Sequence, residues 1–408
     1  MRSTREEPRR ARVCFSMRVL FATTDGAGHF GPLVPFAHAC QRAGHDVLVV
    51  GQAGAAPLAQ RARLSFREVP EPAPEDVARF RAGQRSLSAG AAAARAFTDL
   101  YAGLYGKAAL PGMLAACEAW RPDVVVRESA EMSSMVAADR LGVAHAQVGI
   151  GLSTRLADRL LPLAVPRLDE LRAMVGLAED PDARSARSLV LTMAPPALDD
   201  PSASQSSSVL RFRDRTLGPA QSWQGPFAGQ DQPLIYLSFG TEIPSPTRSY
   251  FPGIYRDALN ALAGLPVRVL VAIGNRRDPA ELGPLPASVR VERWVPQAAV
   301  MRAAAATVGH GGSGSVLSAL AAGVPMALVP MFADQPFNAR LVAELGAGLM
   351  LDDGPASMPA LEPAVRDLLE DSRFRDRAQH IADEMRALPP VDDAVDALSA
   401  LAAGRRAA

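Results

Sequence analysis

Two glycine-rich segments constrain this chain most, because the first joins an apolar strand-like run to a helical pattern and the second also precedes a helical pattern. The first, DGAGHFG at residues 25–31, follows MRVLFATT at 17–24. The second, GHGGSGS at 309–315, precedes a helical pattern that runs to Ala322. A strand that turns tightly into a helix through glycines is typical of the βαβ unit. The sequence therefore predicts an α/β fold with parallel sheets.

The same alternation recurs along the rest of the chain. Strand-like runs are DVLVV (46–50), RPDVVVRE (121–128), VAHAQVGI (143–150), LIYLSFG (234–240), RVLVAIG (268–274), VRVERWV (289–295) and PMALVPM (325–331). Helical patterns cover 32–43, 133–141 and 250–263. Residues 199–233 are rich in Ser, Gln, Gly and Pro, a composition typical of interdomain connections.

These patterns divide the chain into two α/β domains of similar size. The predicted order is a tail at 1–16, a first domain at 17–217, a linker at 218–233, a second domain at 234–390 and a C-terminal helix and tail at 391–408. A length of 408 residues agrees with two or three domains. The C-terminal pattern could pack against either domain, and its apolar side is compatible with a homodimer.

Composition excludes several classes of partner. The 43 basic and 43 acidic residues cancel, so no long-range field attracts nucleic acid or an anionic membrane. No apolar run reaches the roughly 20 residues of a membrane span. The first sixteen residues lack the apolar core of a signal peptide and indicate a tail. Met17 begins the first strand-like run, so translation could also start there. Three widely spaced cysteines argue against disulfides and a cysteine zinc site. We expect a cytoplasmic protein.

The first glycine segment fits a dinucleotide fingerprint only in part. Gly26, Gly28 and Gly31 satisfy G-x-G-x-x-G between a strand and a helix. The next strand, however, closes on Gly51 and Gln52, where an acidic residue should bind the ribose. An NAD(P)- or FAD-dependent oxidoreductase is therefore a weakened hypothesis.

A histidine within this segment suggests different chemistry. His29 is predicted at the carboxyl edge of the sheet, where an imidazole can take a proton near neutral pH. Glu128 ends another strand on the same edge and could orient it, with Glu131 as a nearby competitor. A surface ion pair with Arg127 is an equally acceptable role for Glu128.

The second glycine segment predicts a phosphate site. Backbone N–H groups and the positive end of the following helix converge at residues 310–315. No lysine follows, so the segment is not a P-loop.

One helical region between the first strands carries an aromatic stripe. Phe97, Tyr101 and Tyr105 recur at i, i+4 and i+8 within residues 71–118. Such a stripe indicates either core packing or an apolar wall for a small molecule.

Motifs around the second loop identify a family resemblance. The stretch from Trp294 to Asn338 combines W-x-P-Q, H-G-G-x-G-S, G-V-P-M and a final D-Q, and it resembles the nucleotide-sugar signature of the family 1 glycosyltransferases. MRVLF, GAGHFGPLVPFA and RAGHDV are similar to the openings of actinobacterial natural-product glycosyltransferases. The resemblance covers most of residues 17–390 and implies the GT-B fold, two facing Rossmann-like domains, with the acceptor held by the first.

The resemblance also implies residue roles. His29 would deprotonate the acceptor hydroxyl, and Glu128 would orient it, although most relatives have Asp there. Nucleobase, diphosphate and sugar of the donor would contact Ser238, Gly240, Thr241, Trp294, Val295, Gln297, His310, Gly312, Ser313, Gly314, Ser315, Asp334 and Gln335. The acceptor, a small natural-product aglycone, would contact Phe97, Tyr101 and Tyr105.

One departure from the family pattern bears on the donor. Ser318 stands where UDP-sugar enzymes carry a glutamate that grips the ribose hydroxyls, which favours a dTDP-activated deoxysugar. UDP-sugar transfer on the same fold and a non-catalytic auxiliary homologue are competing hypotheses. We expect inverting transfer without metal or cofactor, and we assign the D-x-D match at 180–182 to a surface loop.

Overall fold

A computed structural model describes residues 16–84, 87–186, 188–199, 208–215, 225–227, 231–241, 244 and 250–406. The predicted tail therefore lies outside the described residues except for Ser16. Of the predicted linker, only 225–227 and 231–233 are described.

The described strands form two parallel sheets, so the prediction of an α/β fold is confirmed. The first sheet has the order β3-β2-β1-β4-β5-β6-β7 and contains β1 Arg18–Thr23, β2 Asp46–Gly51, β3 Ser65–Glu68, β4 Val124–Glu128, β5 Ala144–Val148, β6 Leu189–Thr192 and β7 Val209–Arg211. The second has the order β10-β9-β8-β11-β12-β13 and contains β8 Leu234–Ser238, β9 Arg268–Ala272, β10 Val289–Glu292, β11 Ala306–Gly309, β12 Met326–Leu328 and β13 Gly348–Met350.

Helices cover the faces of both sheets. Around the first sheet they are α1 Ala27–Phe30, α2 Val34–Arg42, α3 Ala56–Arg61, α4 Pro74–Ala82, α5 Ala89–Arg95, α6 Gly106–Trp120, α7 Ser133–Leu141 and α8 Thr154–Met174, with a π-helical segment Ala96–Tyr105 between α5 and α6. The later helices are α9 Gly253–Leu262, α10 Gln297–Ala303, α11 Ser313–Ala322, α12 Gln335–Glu344, α13 Leu361–Glu370, α14 Ser372–Ala387 and α15 Ala394–Arg406.

Burial explains why the central strands are continuous apolar runs. Val124, Val125 and Val126 of β4 are fully buried, and they contribute to the cores on both faces of the first sheet. Parallel strands covered by helices on both faces lose the apolar and polar alternation of half-exposed strands. The carboxyl ends of β1 and β4 lie side by side, with Ala22 of β1 paired to Arg127 of β4.

Several sequence expectations are wrong in detail. β7 lies within 199–233, for which the composition predicts only a connection, and it extends the first sheet. Such a strand of three residues at a sheet edge carries too little apolar pattern to stand out. The helix after the first glycine segment begins at Ala27, so His29 lies in a helical turn and not in the loop.

The C-terminal helix packs against the first sheet. Val395, Leu398 and Ala402 of α15 join the core formed by β1, β4 and α2. A backbone hydrogen bond also holds the chain before α15 against the first domain: the Arg213 N–H donates to the Pro389 carbonyl at 2.9 Å. These apolar side chains are buried, so they do not form the exposed apolar surface that made a homodimer compatible with the sequence.

Within the part of the chain that the structure describes, no helix combines the length and the apolar character that a membrane crossing requires.

We expect Leu398→Ala to destabilise the protein, because Leu398 is fully buried between α15 and the first sheet. A buried leucine truncation costs about 2–5 kcal/mol of unfolding free energy. Leu163→Ala is the matched control, since this leucine is 56% exposed on α8 and its loss should cost under about 0.5 kcal/mol. Urea unfolding measures both, and equal losses would contradict the packing of α15.

Candidate active site

His29 reaches the carboxyl edge of the first sheet from a tight glycine turn. β1 ends at Thr23, and Gly26 adopts φ 109°, a conformation that L side chains rarely adopt. The Gly26 carbonyl then accepts the His29 N–H at 3.1 Å, which starts α1. The imidazole is partly accessible to solvent, with 18% of its side chain exposed.

Glu128 lies directly beside it. The His29 Nδ1 atom is 3.0 Å from Glu128 Oε1, and the carboxylate is fully buried. Glu128 also accepts hydrogen bonds from the Thr24 hydroxyl at 2.8 Å and from the Ala130 N–H at 2.6 Å. The Thr24 N–H also donates to it at 3.3 Å. A carboxylate that accepts four hydrogen bonds is held in one orientation, and its acceptance from Nδ1 leaves Nε2 as the basic atom of neutral His29.

The competing contacts that the sequence allowed near Glu128 do not occur. Arg127 is buried, and its guanidinium donates to the Gln147 amide oxygen at 2.6 Å and to nearby backbone carbonyls. Glu131 accepts from the backbone N–H and hydroxyl groups of Ser133 and Ser134, so it caps α7. Of the two glutamates, only Glu128 contacts the histidine.

Pairing shifts the pKa values of His29 and Glu128 in opposite directions. Burial lowers the pKa of His29, but the charge of Glu128 and its hydrogen bond raise that pKa by more, so the net shift is upward. Burial raises the pKa of Glu128, but His29, Ala130 and Thr24 lower it by more. The pair therefore combines an ionised carboxylate with a strengthened base.

The aromatic stripe divides between core and cleft. Phe97 is partly buried and packs against the core beneath α6. Tyr101 approaches the base, with ring centroids 5.1 Å apart from His29, and Tyr105 stacks on Tyr101 at 6.2 Å. A π-helix gains an extra residue per turn, and such insertions are frequent at functional sites.

The second glycine segment surrounds His310 at the end of β11. A Cβ at Gly240 or Gly312 would lie 2.6 or 2.4 Å from the His310 ring, so these glycines make room for it. Burial lowers the pKa of His310 to about 4, which keeps the imidazole neutral. Its Nδ1 atom is buried and has no hydrogen-bond partner among the described residues.

A polar network stands opposite the glycine segment at the start of α12. Asp334 Oδ2 accepts from the Ser313 hydroxyl at 2.8 Å and from the Asn338 amide at 2.8 Å. Gln335 is buried, and its amide oxygen accepts from the Met331 N–H at 3.0 Å. Ala333 precedes Asp334 with φ 56°, an unfavourable conformation for alanine that turns the chain into α12.

The remaining predicted donor residues line the same carboxyl edge of the second sheet. Ser238 ends β8, and its hydroxyl accepts from the Gly240 N–H at 3.3 Å. Gly312 is the N-cap residue of α11, whose first turn contains the other three loop residues predicted to bind phosphate, Ser313, Gly314 and Ser315. Thr241 is exposed, and Ser318 is half-buried on α11.

The W-x-P-Q motif precedes α10. Trp294 exposes 70% of its side chain, whereas Val295 is buried in the core and offers only its backbone to a ligand. Gln297 begins α10 and is half-buried. An exposed indole costs solvation free energy unless a ligand covers it, as stacking on a nucleobase would do.

The two groups of residues lie within electrostatic range of each other. The negative charge of Asp334, from the second sheet's side, contributes to the raised pKa of His29 on the first. The Asp–Pro–Asp match lies elsewhere, in a surface turn in which Asp182 is 63% exposed. Within the described ranges, no group of three or more His, Cys, Asp or Glu side chains could hold a metal ion.

Sequence reasoning missed two contributors to these networks. Thr24 and Asn338 orient the carboxylates of Glu128 and Asp334. Thr24 directly follows the first strand at the carboxyl edge, which was a usable signal, whereas Asn338 lies one helical turn after Asp334.

Comparison with known proteins identifies the family. The family described as "Erythromycin biosynthesis protein CIII-like, C-terminal domain" matches residues 256–401. The L-demethylnoviosyl transferase of Streptomyces niveus is 32% identical over 369 residues, which cover 90% of this chain and 94% of that protein. The chain belongs to the family 1 natural-product glycosyltransferases. It is a sugar-transferring enzyme, and this membership decides against the oxidoreductase.

Solved glycosyltransferase structures share the fold. SnogD from Streptomyces nogalater is 27% identical with a TM-score of 0.74, covering 95% of this chain and 100% of that one. VinC, solved in complex with dTDP, is 23% identical with a TM-score of 0.75, covering 95% of this chain and 99% of that one. The GT-B prediction is confirmed.

The raised pKa of His29 can be measured without a substrate. We expect histidine side-chain NMR to give His29 a pKa above the ordinary 6.5, because Glu128 stabilises the imidazolium. Glu128→Gln should lower this pKa, since burial then acts without the compensating charge. Glu118→Gln, at an exposed position on α6, is the control and should leave the titration of His29 unchanged. If Glu128→Gln left the pKa of His29 unchanged, that result would contradict the pairing.

Proposed function

We propose that this glycosyltransferase moves a deoxysugar from a dTDP-sugar to a hydroxyl of a small natural-product aglycone, with inversion and without metal. The observation that carries the proposal is the imidazole of His29, which is partly exposed, contacts the buried carboxylate of Glu128 through Nδ1 at 3.0 Å and is within electrostatic range of Asp334. A base fixed in this way is suited to a neutral hydroxyl nucleophile.

The chemistry follows from the two ring nitrogens. Nε2 of His29 takes the proton of the acceptor hydroxyl while its oxygen attacks the anomeric carbon. The bond from that carbon to the diphosphate breaks, and the nucleoside diphosphate leaves. Glu128 stabilises the imidazolium that forms, as an ionised partner does in a buried pair. One displacement from the face opposite the leaving group inverts the anomeric centre.

The leaving diphosphate would meet donors at the second glycine segment. The backbone N–H groups of Ser313, Gly314 and Ser315 lie in the first turn of α11, where the helix dipole favours negative charge. The neutral, buried ring of His310 packs against Gly240 and Gly312 and so shapes the loop that presents these N–H groups. These fixed groups supply the compensation that a metal ion supplies elsewhere.

The sugar and the nucleobase would occupy the two sides of this segment. Asp334, held by Ser313 and Asn338 through Oδ2, would accept hydrogen bonds from sugar hydroxyls, with Gln335 beside it. The exposed indole of Trp294 would stack on the base. The sugar nucleotide is then a co-substrate, and we assign the enzyme no separate cofactor.

The proposal of dTDP rests on Ser318. A carboxylate at this position of α11 would accept the hydrogens of both ribose hydroxyls, and serine cannot do so. The related structure of VinC contains dTDP, which supports the same donor class here. A UDP-sugar is the second candidate, since a serine hydroxyl can still reach one ribose oxygen.

We expect His29→Ala to lower turnover by roughly 100-fold or more while donor binding is kept, because the proton acceptor is lost and the donor residues are not. Transfer is measured by mass spectrometry against a panel of hydroxylated aglycones, and donor binding by calorimetry. His38→Ala is the control, since its ring contacts the Ala62 carbonyl away from the cleft. Unchanged turnover would remove His29 from the mechanism.

We expect Ser318→Glu to raise the affinity for UDP relative to dTDP, because the new carboxylate gains the ribose 2′-hydroxyl as a partner. Calorimetric titration with both nucleotides gives the ratio. Ser318→Gln has the same length without the charge and should change it less. An unaltered ratio in the glutamate variant would refute our interpretation of this position.

A further inference from the structure

The basic nitrogen of His29 is already occupied by a side chain of this protein. The Tyr101 hydroxyl lies 3.2 Å from His29 Nε2, while Nδ1 faces Glu128. Because the carboxylate of Glu128 accepts from Nδ1, Nε2 carries the lone pair, and the phenol donates to it. Tyr101 therefore stands where the hydroxyl of an acceptor has to bind.

The surroundings hold the phenol in this place. The Tyr101 ring lies between the imidazole of His29, at 5.1 Å, and the ring of Tyr105, at 6.2 Å. Its backbone belongs to the ten-residue π-helical segment, an unusually long one. A Cβ at the next residue after that segment, Gly106, would lie 2.9 Å from Leu171 of α8, so the backbone can approach this helix closely.

The phenol does not act as a proton relay. Burial raises the pKa of Tyr101 well above its ordinary value, with Glu128 contributing further, so the hydroxyl keeps its proton. The contact is a neutral hydrogen bond, whose net contribution is modest, and a bound acceptor can replace it.

We propose that Tyr101 makes the site selective for an acceptor hydroxyl over water by capping Nε2 until the acceptor displaces it. This inference rests on the proposed role of His29 as the base. An aglycone brings apolar area that can cover the rings of Tyr101 and Tyr105 and so compensates for the lost bond. A water molecule brings none, so it competes poorly for Nε2.

Without the cap, the same base would hydrolyse the donor. The oxygen of water would attack the anomeric carbon, its proton would pass to His29 Nε2, and the bond to the diphosphate would break. The products would be the free sugar and the nucleoside diphosphate. Tyr101 thus acts on the ratio of transfer to hydrolysis and not on donor binding.

The cap is tested first without any substrate. Diethylpyrocarbonate modifies the free nitrogen of a neutral imidazole, and peptide mass spectrometry reports its rate at His29. We expect Tyr101→Phe, which keeps the ring, to raise this rate about fivefold, the factor for one neutral hydrogen bond. Tyr250→Phe, a partly buried tyrosine against the other core, should leave it at the wild-type value. Equal rates in all three proteins would overturn the cap.

Donor hydrolysis then tests the consequence. With dTDP-glucose or UDP-glucose, whichever calorimetry shows to bind, and no acceptor, we expect Tyr101→Phe to release nucleoside diphosphate about fivefold faster than wild type or Tyr250→Phe. No increase would overturn the selectivity proposal. If neither dTDP nor UDP bound, the proposed donor site would fail, whereas the modification rate of His29 would still decide whether the cap exists.

Discussion

The active site depends on a negative charge that is completely withdrawn from water. The Glu128 carboxylate is buried at the end of β4, and such a charge is tolerated only when it is paired and hydrogen-bonded. Thr24 supplies two of its hydrogen-bond donors and Ala130 a third, and His29 supplies the fourth and the opposite charge when protonated. The need to compensate one carboxylate thus fixes the orientation and the tautomer of the base.

Parallel topology brings these groups together. β1 and β4 are hydrogen-bonded neighbours, so the residues that follow them, Thr24 with the His29 turn and Glu128, meet on one edge. The second sheet repeats this logic, with the ends of β8 and β11 placing Ser238 and His310 side by side. Both sheets present their carboxyl ends to the ligand, which is the general position of binding sites in open α/β sheets.

Much of this arrangement was predictable, since buried parallel strands are continuous apolar runs and the first glycine segment follows such a run. The strand before the second segment, β11, was not among the predicted strands. The pairing of His29 with Glu128 was one of several possible contacts. On sequence alone, Glu131 could have contacted His29 instead, and Arg127 could have paired with Glu128. Only the packing of α7 shows that Glu131 serves as its cap. The position of α15 was also undetermined, since an amphipathic pattern does not say which sheet it covers.

The contact between Tyr101 and His29 could not be predicted from the residue pattern. The spacing of the aromatic stripe indicated one helical face, but the π-helical geometry decides which ring reaches the cleft. Phe97 turned to the core and Tyr101 to the base, although the two had the same pattern. Side-chain directions that depend on a helix defect cannot be obtained from a regular helical period.

The most direct test of the account is the pH dependence of kcat/KM for glycosyl transfer. A base must be unprotonated to act, so the rate should rise with pH through the pKa of His29, above 6.5, and should be lost below it. In Glu128→Gln this acidic limb should move to lower pH, and the plateau rate should fall. An acidic limb that stays in place when the carboxylate is removed would contradict the claim that the His29–Glu128 pair is the catalytic base.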